Sequence, residues 1–399
     1  MADIRPKLHY TPVKGWINDP NGLIYADGKF HLFCQFYPDD TKWGPMHWGH
    51  AISDDLLKWE HLPVAIIPTE EEYAFSGSAV LDYKNVSGLG DGVKPAMILF
   101  YTAHNPLTGE QQQCIAYSSD YKNFTRYEGN PVIKNAKTDA DFKPDFRDPK
   151  VIVNTVIGGF TMVLAAGHSI EFYHSKDLLN WHKTGEFAPG ILAVDGICEC
   201  PDLIKFELED SDKYVLTMSM VMPSADGEDD GHVMQYFVGK FDGNTFTADN
   251  YDERQVLDFG NNNYAAVTFA ETSAPIMMGW AEDWNEARVN TNTEYFGKMT
   301  CARKLDLAQA RDTYFIKQMP IFGCDDSDSE VSIQRVELSE GEKFVIGNAC
   351  IVNNHDSISI NGNVIPRILS GDTNLTVVMD HGFYEIFADN GLITYSKNL

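Results

Sequence analysis

A turn sequence that recurs about every 60 residues is the feature that most constrains the fold of this chain. It occurs as Ser53-x-Asp55-Leu56-x-x-Trp59, Ser118-x-Asp120-Tyr121-x-x-Phe124 and Ser175-x-Asp177-Leu178-x-x-Trp181, with a weaker fourth copy at Phe241-Asp242-Gly243-x-x-Phe246. Each strong copy lies between two strand-like runs, so each predicts the same turn between antiparallel strands. Units of this length, with several strands and few helical patterns, are typical of β-propeller blades. Residues 8 to about 315 have room for five such units.

The remaining patterns divide the chain into two parts. Short apolar runs such as Ala96–Tyr101 and Tyr214–Ser219 are consistent with buried strands, and only Lys304 to Asp312 has a weakly helical pattern. The acidic, polar stretch from Asp325 to Glu330 indicates a domain boundary, and strand patterns resume after it.

Composition and charge narrow the classes of partner. The chain has 399 residues, with 43% hydrophobic residues, 31 basic residues and 58 acidic ones, for a formal charge of −27. Such a charge repels a phosphate backbone or an anionic membrane surface, which argues against nucleic acid and membrane partners.

The N-terminus and the cysteines bear on where the protein is located and on whether its thiols are free. The N-terminus lacks the apolar core of a signal peptide, so the sequence predicts a cytoplasmic protein, with a secreted protein whose signal has been removed as the alternative. Seven cysteines without a repeated spacing indicate free thiols.

Three acids, each with a proline one or two positions later, carry the chemical information. Asp19 lies in Trp16-Ile17-Asn18-Asp19-Pro20-Asn21-Gly22, where proline and the Asn-Gly pair favour an extended strand that breaks into a turn. Taken alone, this string could be a turn between two strands. The other two acids are Asp148, in Phe146-Arg147-Asp148-Pro149, and Glu199, in Cys198-Glu199-Cys200-Pro201-Asp202.

These strings resemble the signature of glycoside hydrolase family 32, the invertases, fructanases and sucrose-6-phosphate hydrolases that release terminal β-fructofuranosyl units. The resemblance continues, in order, through Gln35-Phe36-Tyr37-Pro38, Trp43 to Ala51 and Phe75-Ser76-Gly77-Ser78, and covers at least residues 8 to 305. It implies an all-β fold: a five-bladed β-propeller catalytic domain in residues 1–320 and a reduced C-terminal β-sandwich in residues 325–399. Because so few residues remain for the sandwich, a homo-oligomer formed through this domain is a further expectation.

The resemblance also implies roles for the three acids. Asp19 is the expected nucleophile, Glu199 the expected general acid and then base, and Asp148 the expected acceptor of hydrogen bonds from fructose hydroxyls. Retention requires the first two to stand about 5 Å apart, and the inner strands of a propeller can bring such distant residues together. Arg147 is expected to keep Asp148 ionised.

Further residues are expected to bind the sugar, because carbohydrate sites combine flat apolar faces with directional polar groups. Trp16 and Trp48 are expected to pack in the core. The candidate sugar-binding residues are Asn18, Gln35, Trp43, Phe75, Ser76 and Arg147, with Asp258, Tyr264 and Trp280 as candidates for the leaving-group side.

The leaving-group side is where the resemblance weakens. Asn263 stands where an aromatic residue is more usual, and Thr293-Glu294-Tyr295-Phe296-Gly297 replaces a string that contains Trp. The identity of the leaving group therefore stays open.

No cofactor or metal is expected. His47-x-x-His50 has no further ligand at a standard zinc spacing, and Gly88-x-Gly90-x-Gly92 lacks the ending of a phosphate-binding loop. The leading hypothesis is a retaining β-fructofuranosidase acting on sucrose or short fructo-oligosaccharides. The alternatives are a fructosyltransferase, a sucrose-6-phosphate hydrolase and a fructan-binding lectin.

Overall fold

Seven β-sheets account for nearly all the regular structure of the described residues. The computed structural model describes residues 5–190, 196–222, 231–252, 255–310, 312–323 and 331–399. The predicted boundary from Asp325 to Glu330 lies outside these residues. Within them, no helix combines the length and the apolar character needed to cross a bilayer.

Five sheets follow one another along the chain, and each contains the four antiparallel strands of one blade; a short fifth strand joins the sheets of blades 1 and 4. Blade 1 contains β1 (Gly15–Ala26), β2 (Lys29–Tyr37), β3 (His47–Ser53) and β4 (Glu60–Ile66). Blade 2 contains β5 (Tyr73–Asp82), β6 (Ala96–His104), β7 (Gln111–Ser118) and β8 (Thr125–Arg126). Blade 3 contains β9 (Phe146–Val153), β10 (Phe160–Ala166), β11 (Ile170–Ser175) and β12 (His182–Phe187).

The last two blades carry small additions. Blade 4 contains β13 (Ile197–Phe206), β14 (Lys213–Met222), β15 (Gly231–Phe241) and β16 (Phe246–Ala248), and the short β17 (Gln255–Val256) pairs with β15. Blade 5 contains β18 (Tyr264–Thr268), β19 (Ile276–Trp280), β21 (Arg303–Ala310) and β22 (Thr313–Pro320). Between β19 and β21 lie a helix, Trp284–Arg288, and β20 (Tyr295–Phe296), which pairs in parallel with β1.

The first strands of the five blades form a closed ring. Strand β1 contacts β5, β5 contacts β9, β9 contacts β13, β13 contacts β18, and β18 contacts β1. These strands therefore line the axis of the propeller, and the predicted five-bladed fold is confirmed.

The recurring turn sequence connects the third and fourth strands of blades 1 to 3. In blade 1, Oγ of Ser53 accepts from the amide of Leu56 at 2.8 Å, and Oδ1 of Asp55 accepts from two following amides. The same bonds recur at Ser118 and at Ser175. The weaker copy at Asp242 makes the equivalent turn in blade 4. The turns predicted from the repeat are confirmed.

The weakly helical pattern at Lys304 to Asp312 was misleading, because residues 303–310 form strand β21. Leu305 and Leu307 are buried there while Lys304 and Asp306 are exposed. This alternation has the period of a strand, which places every second side chain in the core.

The described C-terminal residues form a small two-layer sandwich. One sheet has the order β23 (Val331–Leu338), β28 (Thr373–Asp380), β29 (Phe383–Ala388) and β30 (Ile393–Asn398). The other has the order β24 (Lys343–Ile346), β25 (Ala349–Asn353), β26 (Ser357–Ile360) and β27 (Asn363–Pro366). Side chains such as Ile351, Ile358, Val377 and Ile386 form one core cluster from both sheets. The sheets therefore cover each other, and oligomerisation stays a prediction.

A buried charge network joins the sandwich to the propeller. The guanidinium of Arg303 lies 2.9 Å from Asp258 and 2.6 Å from Glu385, and all three side chains are buried. The two ring nitrogens of His9 donate to carboxylate oxygens of Asp380 and Glu385, at 2.8 Å each. Burial opposes protonation of His9, but Cys301 and the two carboxylates raise its pKa well above the usual value. Such a network resists separation of the domains, since removing one partner leaves a buried charge unpaired.

Candidate active site

Each of the five inner strands contributes one polar side chain to the same level of the propeller axis. These side chains are Asp19 on β1, Ser76 on β5, Asp148 on β9, Glu199 on β13 and Tyr264 on β18. Every one of these strands has an irregularity in its pairing at that level. A β-bulge bends the strand and re-aims a side chain.

Three residues where the strand pairing is irregular also have an unusual backbone conformation. Asp148, Cys200 and Ala265 have φ angles of 65°, 45° and 52°, in the left-handed region that residues with a Cβ seldom adopt. Such conformations cost free energy and persist where the surrounding fold enforces them. They indicate that this level of the axis is built for a purpose other than stability.

Asp19 is held by hydrogen bonds on both carboxylate oxygens. Oδ1 accepts from Nδ2 of Asn18 at 2.9 Å, and Oδ2 accepts from Oγ of Ser76 at 2.6 Å. Asn18 is itself oriented by Nε1 of Trp16, at 2.8 Å. Burial raises the pKa of Asp19 and the charge of Glu199 adds to this, whereas the bonds from Ser76 and Asn18 lower it.

Each carboxylate oxygen of Glu199 accepts a hydrogen bond. Oε1 accepts from the guanidinium of Arg147 at 2.9 Å, and Oε2 accepts from the hydroxyl of Tyr264 at 2.5 Å. Its side chain remains 21% exposed, so a ligand can reach it. Burial first, and then the neighbouring charge of Glu199, raise the pKa of Tyr264 well above its usual value, which keeps the phenol protonated as a donor.

Asp148 is the most deeply placed of the three acids. Its Oδ2 accepts from the backbone amide of Cys200 at 2.9 Å, and its own amide donates to Oγ1 of Thr102 at 2.9 Å. The pKa of Asp148 is raised to about 7: burial is the largest cause, Arg147 opposes it, and the charges of Glu199 and Asp19 add to it.

Arg147 lies among three carboxylates. Its close partners are Glu199, at 2.9 Å, and Asp145, at 2.7 Å, while its Nε lies 4.0 Å from Asp148. Arg147 lowers the pKa of Asp148, which is the expected direction, while burial raises it more. Arg147 also links Glu199 to blade 3.

The thiol of Cys200 lies between two of the acids. Its Sγ is 3.6 Å from Oδ2 of Asp19 and 3.6 Å from Oδ2 of Asp148. Burial and the adjacent carboxylates raise the pKa of this thiol well above its usual value, so it stays protonated. The contacts show that Asp19 and Asp148, 129 positions apart in the numbering, share one neighbourhood.

The predicted sugar-binding aromatics Trp43 and Phe75 contact each other, and Phe75 directly precedes Ser76 on β5. The rings of Trp43 and Phe75 are 6.1 Å apart in an edge-to-face arrangement, and Trp43 is 44% exposed. Phe75 also stacks on His104, at 4.3 Å. Trp16 and Trp48 are buried, which agrees with packing roles.

Gln35 is placed differently from these aromatics. It is buried and donates to the carbonyl of Ala74, so its visible contact orients β5. A direct bond from Gln35 to a sugar stays a prediction.

Two residues expected on the leaving-group side are in the interior. Both oxygens of Asp258 accept hydrogen bonds within the domain interface, from Arg303, Ser396 and others, and its side chain is fully buried. Trp280 is fully buried and packs on Trp16 and Trp284. Neither side chain presents a surface to a ligand, so the interpretation of both as rim residues is corrected. Tyr264, the third candidate on that side, does reach the site.

Sequence reasoning missed several supporting residues. Asp145 fixes Arg147, Thr102 fixes the backbone of Asp148, and His104 backs Phe75. Asp145 could have been found from its position two residues before Arg147, directly ahead of β9. Thr102 and His104 lie in an ordinary buried strand, β6, and nothing in their sequence signals a role.

One cluster in the described residues has metal-ligand chemistry, and it lies away from the three acids. His9, Cys301 and Glu385 bring ligand atoms within 4.8 Å of one another at the domain interface. Both ring nitrogens of His9 already contact carboxylates, and Arg303 binds the other oxygen of Glu385. These contacts describe an ion-pair network.

Comparison with known proteins gives a consistent result. Residues 9–320 match the family model described as the glycosyl hydrolases family 32 N-terminal domain. Levanase of Bacillus subtilis (strain 168) is 39% identical over 328 residues, which cover 80% of this chain and 47% of the levanase. Invertase of Schizosaccharomyces pombe is 34% identical over 398 residues, which cover 95% of this chain and 64% of the invertase. The chain thus spans about half to two thirds of the length of these curated relatives.

Solved structures agree over almost the whole chain. The crystal structure of exo-inulinase from Aspergillus awamori superposes with a TM-score of 0.85 at 27% identity, covering 99% of this chain and 92% of that one. A fructofuranosidase variant from Schwanniomyces occidentalis, complexed with fructosylnystose, gives a TM-score of 0.84 at 27% identity, covering 99% of this chain and 91% of that one.

Proposed function

Because this chain belongs to glycosyl hydrolase family 32, we propose that it hydrolyses terminal β-D-fructofuranosyl residues of sucrose or short fructo-oligosaccharides with retention of configuration. One observation carries the proposal: Asp19, Asp148 and Glu199, from three blades, meet at one level of the propeller axis and share Cys200 and Arg147 as neighbours. Retaining glycosidases need a carboxylate nucleophile and a carboxylic acid on opposite sides of the reacting carbon.

In the first step, a carboxylate oxygen of Asp19 attacks C2 of the fructosyl unit. The bond from C2 to the glycosidic oxygen breaks, and that oxygen takes the proton of Glu199. The bonds from Asn18 and Ser76 hold Asp19 in one orientation, which favours attack by reducing the entropy lost in reaching the transition state. Hydroxyls of fructose donate to Asp148, which stabilises the positive charge that develops on the ring.

In the second step, water replaces the enzyme at C2. Glu199, now ionised, takes a proton from the water, whose oxygen attacks C2 and releases Asp19. The hydroxyl of Tyr264 and the guanidinium of Arg147 hold Glu199 in place through both steps. The same carboxyl group therefore serves as acid and then base.

The charge distribution bears on the choice of leaving group. Among the described residues that contact the three acids, Arg147 supplies the cationic charge, and it is shared among Asp145, Asp148 and Glu199. The formal charge of the chain is −27. A phosphorylated substrate would meet repulsion here, so neutral sucrose and neutral oligosaccharides are favoured over sucrose 6-phosphate.

The reaction products distinguish the candidate activities. Purified protein and an Asp19→Asn variant are incubated with sucrose, 1-kestose, inulin, levan and sucrose 6-phosphate, and the products are resolved by chromatography. The polymers are included because relatives are named levanase and exo-inulinase. We expect free fructose from sucrose and 1-kestose, and a loss of about 10⁴-fold or more in kcat for the variant, since removing a nucleophile removes most of the catalysis.

Stereochemistry tests the retaining course. An NMR spectrum recorded before mutarotation is expected to show β-fructofuranose as the first product. Longer oligosaccharides at high sucrose would instead identify a transferase. Absence of cleavage, together with fructan binding, would overturn the hydrolase proposal in favour of a lectin.

A further inference from the structure

The 258–262 segment joins the sandwich to the active site. It runs beside β30, the last strand of the chain, which is an edge strand of its sheet. The amide of Phe259 donates to the carbonyl of Thr394 at 2.9 Å, and the amide of Asn262 donates to the carbonyl of Ser396 at 3.0 Å. The segment therefore extends the sandwich sheet although it belongs to the propeller part of the sequence.

Ser396 holds the start of this segment. Its hydroxyl donates to Oδ2 of Asp258 at 2.7 Å, and its amide donates to Oδ1 of the same carboxylate at 2.9 Å. Both residues are buried. A Cβ at Gly260 would lie 1.9 Å from the carbonyl oxygen of Ser396, so the two backbones approach as closely as glycine allows.

The end of the segment is held as well. Oδ1 of Asn262 accepts from the amide of Asn398 at 3.1 Å, and Nδ2 of Asn262 donates to Glu286 at 2.8 Å. Asn398 donates to the same carboxylate of Glu286, at 2.8 Å. Two residues beyond Asn262, the hydroxyl of Tyr264 donates to Oε2 of Glu199 at 2.5 Å.

From this chain of contacts, we propose that Ser396 in the sandwich is a positioning residue for Glu199, acting through the 258–262 segment and Tyr264. The inference rests on the proposed function, because it assigns Glu199 the role of general acid. The segment pairs with β30 of the sandwich and leads directly into the irregular start of β18. A displacement of that start shifts the Tyr264 hydroxyl, and misplacement of a catalytic group by about 1 Å can cost two orders of magnitude in rate.

The test compares two leaving groups in the full-length protein. Sucrose needs protonation of its leaving oxygen, whereas p-nitrophenyl β-D-fructofuranoside releases a weakly basic phenolate that needs little help. For Ser396→Ala, we expect kcat/KM for sucrose to fall about tenfold and kcat/KM for the aryl fructoside to fall less than about twofold. KM for sucrose should change little, because the fructose contacts remain.

Two further variants make the result interpretable. Asn262→Ala removes the side-chain bonds at the end of the segment. It is expected to show the same dependence on leaving group, and it carries the test if Ser396→Ala does not fold. Thr373→Val is the matched control, because it removes one buried hydroxyl in the sandwich, the acceptor of the Asp389 amide, which lies outside the segment's contacts. It should leave both substrates unaffected.

The outcomes distinguish the inference from its premise. A wild-type protein that cleaves neither substrate would overturn the proposed function. An active wild type whose Ser396→Ala and Asn262→Ala variants lose both substrates equally, or lose neither, would overturn the positioning role.

Discussion

The hydroxyl of Ser76 donates a 2.6 Å hydrogen bond to Oδ2 of Asp19, across the boundary between blades 2 and 1. Burial raises the pKa of Asp19, and this bond lowers it by stabilising the ionised form. The nucleophile must be ionised to attack, so the bond both orients Asp19 and extends its working range towards acid.

Replacing Ser76 with alanine therefore has a predictable pH dependence. Without the bond, the pKa of Asp19 rises further, and the acidic limb of the kcat/KM profile moves to higher pH. A shift of one unit corresponds to a loss of about tenfold on the acidic side, with a smaller loss at higher pH. Ser78→Ala is the control, since Ser78 donates to the carbonyl of Pro149. An unmoved acidic limb in Ser76→Ala would contradict the prediction.

Tyr264→Phe should lower activity while preserving the fold. The buried ring is retained, and only the donor to Glu199 is lost. We expect kcat/KM for sucrose to fall about tenfold or more, within the range general acid–base catalysis contributes. Tyr236→Phe is matched, because that buried hydroxyl accepts from the amide of Ile316. Tyr236→Phe should lower the temperature of thermal unfolding, and Tyr264→Phe should lower kcat/KM. The reverse pattern would refute the role of the Tyr264 hydroxyl as the donor to Glu199.

Asp148→Asn should abolish activity and raise the free energy of unfolding. The pKa of Asp148 rises from 3.8 to about 7 on burial, so the native state binds this proton more tightly than the unfolded chain. The stabilisation that comes from this tighter proton binding is complete below pH 3.8 and is lost as the pH rises to about 7. Asparagine carries no such charge.

Urea unfolding at several pH values measures how the free energy of unfolding of each protein depends on pH. The gain in unfolding free energy of Asp148→Asn over the wild type should grow across that window, on the order of 2 to 4 kcal/mol. Cleavage of sucrose should be lost, because the amide of the variant cannot accept from the sugar as a carboxylate does. A gain that does not depend on pH would be inconsistent with the raised pKa.

The buried pair of Lys150 and Asp202 ties three inner strands together beneath the site. Nζ of Lys150 lies 2.9 Å from Asp202 and 2.7 Å from the carbonyl of Thr268. Lys150→Met leaves the buried carboxylate without its cation, and we expect the unfolding free energy to fall by about 3 to 5 kcal/mol. Adding Asp202→Asn should recover part of the loss in urea unfolding. Two additive single effects would show that the residues do not interact.

Some features were predictable because their causes are local. The turn at Ser53 depends on hydrogen bonds that reach no further than three residues along the chain, and the same holds at Ser118 and Ser175. A pattern of this range can be read from a short window of sequence. The recurring spacing then predicts the blades.

Other features depend on distant contacts and were misread. Asp258 has its partners at Arg303 and Ser396, which lie 45 and 138 positions away. Nothing near Asp258 in the sequence distinguishes a carboxylate that binds a sugar from one that binds a buried guanidinium. The strand at Lys304 differs, since the alternation of Leu305 and Leu307 with charged residues is a local signal of a strand.

The sequence by itself determined the family and the blade repeat and predicted the three candidate acids, because short motifs and local turns carry that information. Only the tertiary structure decided that Tyr264 reaches Glu199, that Arg147 is shared among three carboxylates, and that the last strand of the sandwich holds the 258–262 segment. These relationships join residues from different blades and from different domains. They exist only once the ring of inner strands closes and the sandwich packs against it.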